Sequence, residues 1–408
     1  MSGKKEKVLV IGSGPAGLAA ALFAAMRGKE VTLFEQMPKF AMKLLASGGG
    51  RCNVTNTLEL QDFAMKFGRQ WRFLLPALSG FFGEDLRKFF AENGVKLVLS
   101  DGFHYFPESG RAGDVLELFQ RKLSSFDSRM VCNAKVGKLL ISDGKICGLE
   151  VNGEQIFSDA VILCCGGRSF PALGGNGAGY KLAEQAGHHI TGTFPAMGGV
   201  HVAEKWVTEC AGIALPDCET YLDLPKERKN RQRGELLFTH NGLSAFAILD
   251  LCGTAAQYLE KMASVPLKVN FLPEQSENDL RMLFARWRQE NGSRKVVNQL
   301  STLLPRKLAA FLLENDEVCV ANWKSGQIDE LIRKIFSTTL TVTGCDSWDK
   351  AMVTRGGVAL KEVNPETLES RIVKGLYFAG ELLDVDGPCG GYNITWALAS
   401  GKLAGSCV

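Results

Sequence analysis

The chain has 408 residues, and its 47 Lys and Arg against 44 Asp and Glu leave a formal net charge of only +3. A length of this order favours two or three compact domains. The near balance of charge provides no field for holding nucleic acid or an acidic membrane surface, so we expect a small-molecule substrate and neither of those partners; the oligomeric state stays open.

Cysteine and histidine usage indicates neither a disulfide scaffold nor a metal site. The 12 cysteines are scattered and mostly lie in apolar stretches, and the 5 histidines show no ligand spacing with them. The basic start of the chain leads into an apolar run that Gly12 and Gly14 interrupt, so we predict no secretion signal and no membrane span. A cytoplasmic protein with reduced thiols and no metal is expected.

The chain opens with a strand, a helix and a second strand. Residues 7–11 are apolar, 16–27 are rich in Ala and Leu, and 30–35 are β-branched. Further periodicity predicts helices over 74–90 and 112–124 and strands over 96–100, 146–151 and 159–165. The last of these strands is apolar throughout, as in a strand covered on both faces, so we place it in the same parallel sheet.

The middle of the chain differs in character from both ends. Short strands with turn residues predominate from about 193 to 271, and a helical period follows from 273 to 337. Strand-like residues then return, and a strand at 375–381 that rejoins the first sheet precedes a final helix. We therefore predict three domains: residues 1–192 with 345–408, a β-rich domain of 193–272 with 338–344, and a helical subdomain of 273–337.

The turn after the first strand carries a dinucleotide-binding fingerprint. Its residues are Gly12, Ser13, Gly14, Pro15, Ala16 and Gly17. Glycines here permit a tight turn, the approach of a pyrophosphate and close packing of helix on strand, and the helix N-terminus attracts phosphate. Glu35, with Gln36 after it, ends the next strand, where a carboxylate can accept hydrogen bonds from the ribose hydroxyls of adenosine. The alternative is a glycine-rich turn without function.

Two further segments favour FAD over NAD. The loop 47–56 contains Gly50, Arg51, Cys52 and Asn53, and successive glycine amides with one guanidinium suit a pyrophosphate or the pyrimidine edge of a flavin. An ordinary surface turn is the alternative for this loop.

The second segment lies near the C-terminus. Gly380 and Glu381 follow a strand and suit a ribityl chain, and Gly391, Asn393 and Ile394 begin a helix whose amides can face the flavin N1 and C2 carbonyl edge. Glycines that only cap a buried helix are the alternative.

Taken together, these segments resemble the BaiN/YhiN-type flavoproteins, a family that includes aminoacetone oxidase and a bile-acid steroid reductase. The matching stretches are 12–17, 45–56, 166–179, 234–244 and 354–405. The resemblance implies an α/β fold: a glutathione-reductase-like, FAD-binding Rossmann domain interrupted by a β-rich domain with a helical insertion. It also implies a set of cofactor contacts: Glu35, Lys43, Arg51, Asn53, Glu381, Asn393 and Ile394, a backbone contact to adenine near Val136, and Gly166 in the matching stretch.

The flavin itself supplies redox chemistry, so the protein must hold a substrate over N5 and move a proton. Candidates for the second task are His240, Arg355, Asp384 and Tyr392, each of which also has a structural interpretation as a turn residue, an ion-pair member or a packed helix cap. We expect an FAD-dependent oxidoreductase that either reduces an enone or steroid-type double bond or oxidises an amino-ketone.

Two other functions fit the same cofactor. A flavin-bound RNA-modifying protein is one, although the near-neutral charge disfavours it. A redox sensor that uses Cys52 or Cys389 is the other, because both thiols lie in glycine-rich loops where we expect them to be accessible. The segment 174–179 has poor spacing for a second nucleotide loop, so NAD(P)H, if it is the electron donor, must bind transiently over the flavin.

Overall fold

The computed structural model describes residues 5–313 and 317–408, and these form two compact units. We call residues up to Phe194 together with those from Trp348 onward the flanking unit, and residues 195–347 the inserted unit. Each unit has its own apolar core.

The elements follow in chain order. Those of the first stretch are β1 (Lys7–Ile11), α1 (Pro15–Met26), β2 (Glu30–Phe34), α2 (Met42–Ala46), β3 (Thr55–Asn56), α3 (Leu60–Met65), α4 (Trp71–Gly80), α5 (Gly83–Glu92), β4 (Leu97–Leu99), β5 (His104–Pro107), α6 (Ala112–Ser125), β6 (Arg129–Val131), β7 (Val136–Ser142), β8 (Lys145–Val151), β9 (Glu154–Phe157), β10 (Ala160–Leu163) and α7 (Ala178–Gln185).

The middle stretch holds β11 (Phe194–Ala196), β12 (Val200–Val202), α8 (Lys205–Glu209), β13 (Ala214–Leu222), β14 (Gln232–Phe238), β15 (Gly242–Ser244), α9 (Phe246–Leu259), β16 (Val265–Asn270), α10 (Glu277–Asn291), α11 (Val296–Leu300), α12 (Arg306–Leu312), α13 (Ser325–Ser337) and β17 (Thr338–Cys345). The last stretch holds β18 (Val353–Arg355), β19 (Leu376–Phe378) and α14 (Tyr392–Cys407).

A parallel sheet in the order β19-β10-β1-β2-β6 forms the centre of the flanking unit. Val10 of β1 pairs with Ile162 on one side and with Leu33 on the other. The predictions that 159–165 joins this sheet and that the last strand returns to it are confirmed. The apolar strands β1, β10 and β19 are buried on both faces, whereas β6 at the edge of the sheet is mostly exposed.

Helices α1 and α14 pack unusually closely within the flanking unit. A β-carbon placed on Gly401 would lie 2.2 Å from the carbonyl oxygen of Ala16, and one on Gly405 would lie 2.2 Å from that of Ala20. Four residues along α14 match four along α1 in the same direction, so the two helices run parallel. Small residues in both sequences permit this approach, and their N-termini therefore point the same way.

Two antiparallel three-stranded sheets complete the flanking unit, in the orders β3-β5-β4 and β7-β8-β9. The prediction of one helix over 74–90 is wrong, because α4 ends at Gly80 and α5 begins at Gly83. Phe81 adopts φ −159° and ψ 78°, and Gly83 has a positive φ of 52°, so the backbone leaves the helical conformation between them.

The inserted unit is a closed six-stranded barrel in the order β12-β15-β14-β13-β16-β17. Helices α10 to α13 lie between β16 and β17 in the chain. The 14-residue helix α9 was not predicted within the strand-rich stretch, because its apolar residues show little of the one-sided periodicity that marks a surface helix. Within residues 5–313 and 317–408, no helix combines the length and apolar character that a membrane crossing requires.

Candidate active site

The turn between β1 and α1 has the geometry that its glycines predict. Gly12 has φ 95°, and a β-carbon there would lie 2.4 Å from the Cys164 carbonyl oxygen; one on Gly17 would lie 1.8 Å from the carbonyl oxygen of Gly12. At Gly14 and at Gly166, by contrast, a β-carbon would meet no described atom within 4 Å. The turn is therefore packed tightly behind and open in front, as the approach of a pyrophosphate requires.

Glu35 lies beside this turn. Its carboxylate accepts hydrogen bonds from the Ser13 amide at 3.0 Å, from the Ser13 hydroxyl at 2.5 Å and from the Met37 amide at 2.9 Å. The side chain is nine-tenths buried, so these bonds hold the carboxylate at the mouth of the turn. Ser13 connects it further, because its hydroxyl accepts a hydrogen bond from the Ala41 amide at 2.8 Å.

Helix α14 extends beyond the start of α1 on the N-terminal side. Tyr392 precedes Gly401 by nine residues, and at 1.5 Å per residue α14 begins about 13 Å beyond the point where Ala16 and Gly401 meet. Gly380 packs between the helices, with its amide donating to Ser400 Oγ at 3.0 Å and its carbonyl accepting from Trp396 Nε1 at 3.2 Å. Three of the predicted cofactor-facing segments therefore lie along the contact between α1 and α14.

Glu381, which follows Gly380, lies in a hydrogen-bond network. It accepts from Lys43 Nζ at 2.8 Å, from the Thr354 amide at 2.9 Å and from Ser169 Oγ at 3.1 Å. Lys43 Nζ also donates to Ser169 Oγ at 2.6 Å. Sequence reasoning named Lys43 and Glu381 but missed Ser169 and Thr354. The only local signal for Ser169 was its place just after the Gly-Gly pair that ends β10.

The loop 47–56 is held against the start of α14. Thr395 Oγ1 donates to the Val54 carbonyl at 2.9 Å, and Asn56 Nδ2 donates to the Gly390 carbonyl at 2.8 Å. The Asn53 amide, in the orientation that satisfies both of its ends, accepts from the Gly391 amide at 3.2 Å and donates to the Thr55 carbonyl at 3.0 Å. The structure therefore brings this predicted segment and the helix start together.

The structure gives the following partners to the other predicted contact residues. The Asn393 side chain holds the preceding loop in place. Its Oδ1 accepts from the Gly387 amide and its Nδ2 donates to the Gly387 carbonyl, both at 2.8 Å. The polar contacts that Asn393 and Ile394 can offer a cofactor therefore come from the backbone. Arg51 is exposed, with its guanidinium 4.6 Å from the ring centre of Phe106, and Gly50 precedes it with φ 87°. Gln36 Nε2 donates to the Gly174 carbonyl at 2.8 Å.

Val136 lies outside the segment whose backbone pairs with that of Glu35. It begins β7 and pairs with Val151 in the antiparallel sheet. The segment that borders Glu35 lies earlier: the Glu35 amide donates to the Val131 carbonyl, and the Ala134 amide donates to the Glu35 carbonyl, both at 2.8 Å. Residues 131–134 therefore border the backbone of Glu35, while the backbone amides that contact its carboxylate are those of Ser13 and Met37.

The expectation of an accessible Cys52 thiol is wrong. Cys52 is fully buried, and burial raises the pKa of its thiol to about 12 although a hydrogen bond with Ser47 lowers it. Its backbone has φ 62°, and its amide donates to the Ser47 carbonyl at 3.0 Å, so the glycine-rich turn folds over the side chain. This removes Cys52 as a redox sensor and restricts any cofactor contact it makes to the backbone.

We expect Cys52 to resist alkylation in the folded protein. At pH 8 a thiol with a pKa near 12 is almost entirely protonated, and a buried thiol is not reached by the reagent. Iodoacetamide labelling followed by peptide mass spectrometry should leave Cys52 unmodified until urea unfolds the chain. Labelling of Cys52 in native protein at the rate of a denatured control would contradict the buried placement.

The catalytic candidates from the sequence lie in different surroundings. His240 is exposed on the turn between β14 and β15 of the inserted unit. In the flanking unit, Arg355 forms an ion pair with Asp386, with Nε and Nη2 each 3.0 Å from Oδ2. Burial raises the pKa of Asp384, a hydrogen bond from Thr191 lowers it, and the Asp386 charge raises it further.

Tyr392 is nine-tenths buried or more, in an aromatic cluster. Its ring stacks on Phe63 at 4.7 Å between centres and contacts Phe67 edge-on at 6.0 Å. This packing anchors the first turn of α14 and agrees with the interpretation of Tyr392 as a packed helix cap.

A histidine that sequence reasoning did not consider lies beside the start of α14. His104 Nδ1 is 2.7 Å from Asp101 Oδ2, and the His104 amide donates to Asp101 Oδ1 at 2.8 Å. These hydrogen bonds lower the pKa of Asp101 to about 2. On the other side of the ring, Nε2 would lie 3.1 Å from a β-carbon placed on Gly390. Among the described residues, no three His, Cys, Asp or Glu side chains group as metal ligands would.

A Rossmann sheet with a glycine turn, an acidic residue after β2 and a second helix start aligned with the first define an FAD-dependent oxidoreductase. A family model described as "HI0933-like protein Rossmann domain" matches residues 6–407. The chain belongs to this HI0933-like family, and the resemblance to the BaiN/YhiN-type flavoproteins is confirmed.

Individual relatives span almost the whole chain. A 3-dehydro-bile acid delta(4,6)-reductase of Clostridium scindens is 34% identical over 98% of this chain and 98% of its own. A ribosomal RNA dihydrouridine synthase of Haemophilus influenzae is 32% identical over 96% of each. Among solved structures, the 3-ketosteroid delta1-dehydrogenase of Sterolibacterium denitrificans has a TM-score of 0.55 at 12% identity, covering 98% of this chain and 99% of that one, and it shares the fold.

Proposed function

We propose that the protein reduces a carbon–carbon double bond conjugated to a carbonyl group in a small organic molecule. The observation that supports the proposal is the parallel packing of α1 and α14 with Gly380, which precedes Glu381, between them, an arrangement that suits an extended FAD molecule. The names of the two relatives support the choice of reaction. A 3-keto steroid diene and the uracil ring of uridine both contain a double bond conjugated to a carbonyl.

Different residues would bind different parts of the cofactor. The α1 turn with Glu35 would hold the adenosine and pyrophosphate, the Lys43–Glu381 pair would hold the ribityl chain, and the amides at the start of α14 would bind the pyrimidine part of the ring. Bound there, FAD would supply the hydride for the reduction, with NAD(P)H as the proposed electron donor. The positive end of the α14 dipole favours negative charge at that edge, which promotes reduction of the ring.

Purified protein tests this function directly. We expect yellow protein that releases FAD on denaturation, is bleached by NADPH or NADH under anaerobic conditions, and regains its colour when 4-androstene-3,17-dione or 2-cyclohexenone is added. Oxidation of an amino-ketone, the competing small-molecule reaction, would instead bleach the flavin with aminoacetone and release peroxide in air. Protein that carries no flavin, or reduced protein that no enone reoxidises, would contradict the proposal.

A second candidate substrate is a uridine in ribosomal RNA, favoured by the name of the Haemophilus influenzae relative. The overall charge of +3 gives this candidate little electrostatic support, since RNA-binding surfaces are strongly basic. Nucleoside mass spectrometry decides between the two: reduced protein incubated with unmodified ribosomal RNA produces dihydrouridine only if the RNA is a substrate.

A further inference from the structure

We propose that His104 is the proton donor of this reduction and that Asp101 is its positioning residue. The inference rests on the proposed function and names a residue pair that carries the second half of the same reaction. Reduction of a conjugated double bond needs a hydride at the β-carbon and a proton at the α-carbon, so a proton donor must lie at the substrate face of the site.

The fold places His104 at the end of the site where the ring edge is expected. β5 begins at His104 and pairs with β3, so that His104 lies opposite Asn56. Asn56 in turn donates to the Gly390 carbonyl at 2.8 Å, which ties this strand pair to the loop before α14. Gly390 has φ 121°, and a β-carbon there would lie only 3.1 Å from His104 Nε2, so the ring packs against the backbone that leads into the α14 amides.

The two ring nitrogens have different surroundings. Nδ1 faces Asp101 Oδ2 at 2.7 Å, and the low pKa of Asp101 keeps that carboxylate ionised at neutral pH. A carboxylate on Nδ1 fixes the tautomer and the orientation of an imidazole and stabilises its protonated form, which leaves Nε2 to exchange a proton with a substrate. Nε2 is the nitrogen on the side of Gly390, and the His104 side chain is 20% exposed, so the ring is not closed off from solvent.

The proton step balances with the hydride step. As the hydride forms a C–H bond at the β-carbon, the electron pair of the double bond moves toward the α-carbon and the carbonyl oxygen. The Nε2–H bond of the His104 imidazolium breaks, and its proton bonds to the α-carbon. The neutral imidazole, still held through Nδ1 by Asp101, regains a proton from water.

Two half-reactions separate this role from cofactor binding. We expect His104→Gln to retain FAD and to be reduced by NADPH at a rate within about twofold of the wild type. Reoxidation of the pre-reduced variant by 2-cyclohexenone should slow about 100-fold, the lower part of the range for loss of a general acid. In D₂O the wild type should place deuterium at the α-carbon on one face only, and His104→Gln should lose that selectivity. His189→Gln is the matched control, since His189 is exposed elsewhere on the flanking unit.

Asp101→Asn tests the positioning role without removing the imidazole. The ¹⁵N signals of His104, assigned by their absence in His104→Gln, should change tautomer pattern in Asp101→Asn, and reoxidation by the enone should slow about tenfold. In wild-type protein the same signals should shift when FAD is added to apoprotein. These NMR measurements do not depend on turnover.

The outcomes are distinct. Reoxidation of His104→Gln by the enone at the wild-type rate overturns the inference. If wild-type reduced protein is reoxidised by no enone, the proposed function fails, and the NMR measurement still decides the placement: signals unaffected by FAD overturn it, and signals that shift support it.

Discussion

Gly401→Ala should destabilise the protein by about 2 kcal/mol and weaken FAD binding more than tenfold. The new methyl group would lie 2.2 Å from the Ala16 carbonyl oxygen, and a backbone atom cannot move aside as a rotamer can. Overpacking of this kind costs about 1–3 kcal/mol, while the better helix propensity of Ala returns up to about 1 kcal/mol. The helices would separate, and the relative position of their N-termini, on which the proposed cofactor site depends, would be lost.

Urea unfolding of apoprotein and FAD fluorescence on dilution measure the two effects. Gly326→Ala is the matched control, because Gly326 is an exposed residue in the first turn of α13 where a β-carbon meets no described atom within 4 Å. That variant should be neutral or slightly stabilised and should bind FAD as the wild type does. A Gly401→Ala protein with unchanged FAD affinity would show that the close helix contact does not position the site.

The parts of the site that the sequence predicts are those governed by local rules. The turn at Gly12 and Gly17 needs glycine because strand, turn and helix are adjacent in the chain, so the reason and the residues appear in one window. The Gly380–Glu381 and Gly391–Asn393 segments are likewise strand-to-helix junctions. Their glycines reveal that backbone comes close to something, although not to what.

Contacts between residues that are far apart in the sequence could not be predicted from local rules. Thr354 and Ser169 reach Glu381 only because β18, the segment after β10 and the segment after β19 meet in space. The small residues Gly401 and Gly405 are visible in the sequence with helical spacing, but nothing local identifies Ala16 and Ala20 as their neighbours. His104 is separated from Gly390 by most of the chain and was overlooked for the same reason.

Cys52 shows how a compositional signal misleads. A glycine-rich loop usually lies on the surface, and the expectation of an accessible thiol followed from that tendency. In the structure, Gly48 packs beside Asn53 and Phe106 and Val54 is held by Thr395, so the part of the loop around Cys52 and Val54 is buried although Gly48 and Arg51 are exposed. The glycines on which that expectation rested adopt positive φ angles, which instead allow the chain to fold over a buried side chain.

Glu381→Gln should weaken FAD binding by about 30-fold, which corresponds to about 2 kcal/mol at 1.4 kcal/mol per factor of ten. If the oxygen of the new side-chain amide keeps its hydrogen bonds with Thr354 and Ser169, its NH2 group faces Lys43 Nζ and cannot accept a hydrogen bond from it. The Lys43 ammonium, on a side chain that is two-thirds buried, then loses its charged partner. Breaking a fully buried pair costs about 3–5 kcal/mol, and partial exposure of Lys43 reduces the expected loss of apoprotein stability to about 2 kcal/mol.

A double-mutant cycle with Lys43→Met separates the pair from its surroundings. Removing both charges should restore much of the stability lost in Glu381→Gln, since no unpaired charge then remains, but it should not restore FAD affinity if the pair itself binds the ribityl chain. Glu108→Gln is the matched control: Lys96 and Glu108 form an ion pair at 2.7 Å with side chains 67% and 58% exposed, and its loss should change stability by less than about 0.5 kcal/mol. Recovery of both stability and affinity in the double variant would mean that the Lys43–Glu381 pair holds the fold at this point and leaves cofactor binding to the helix starts alone.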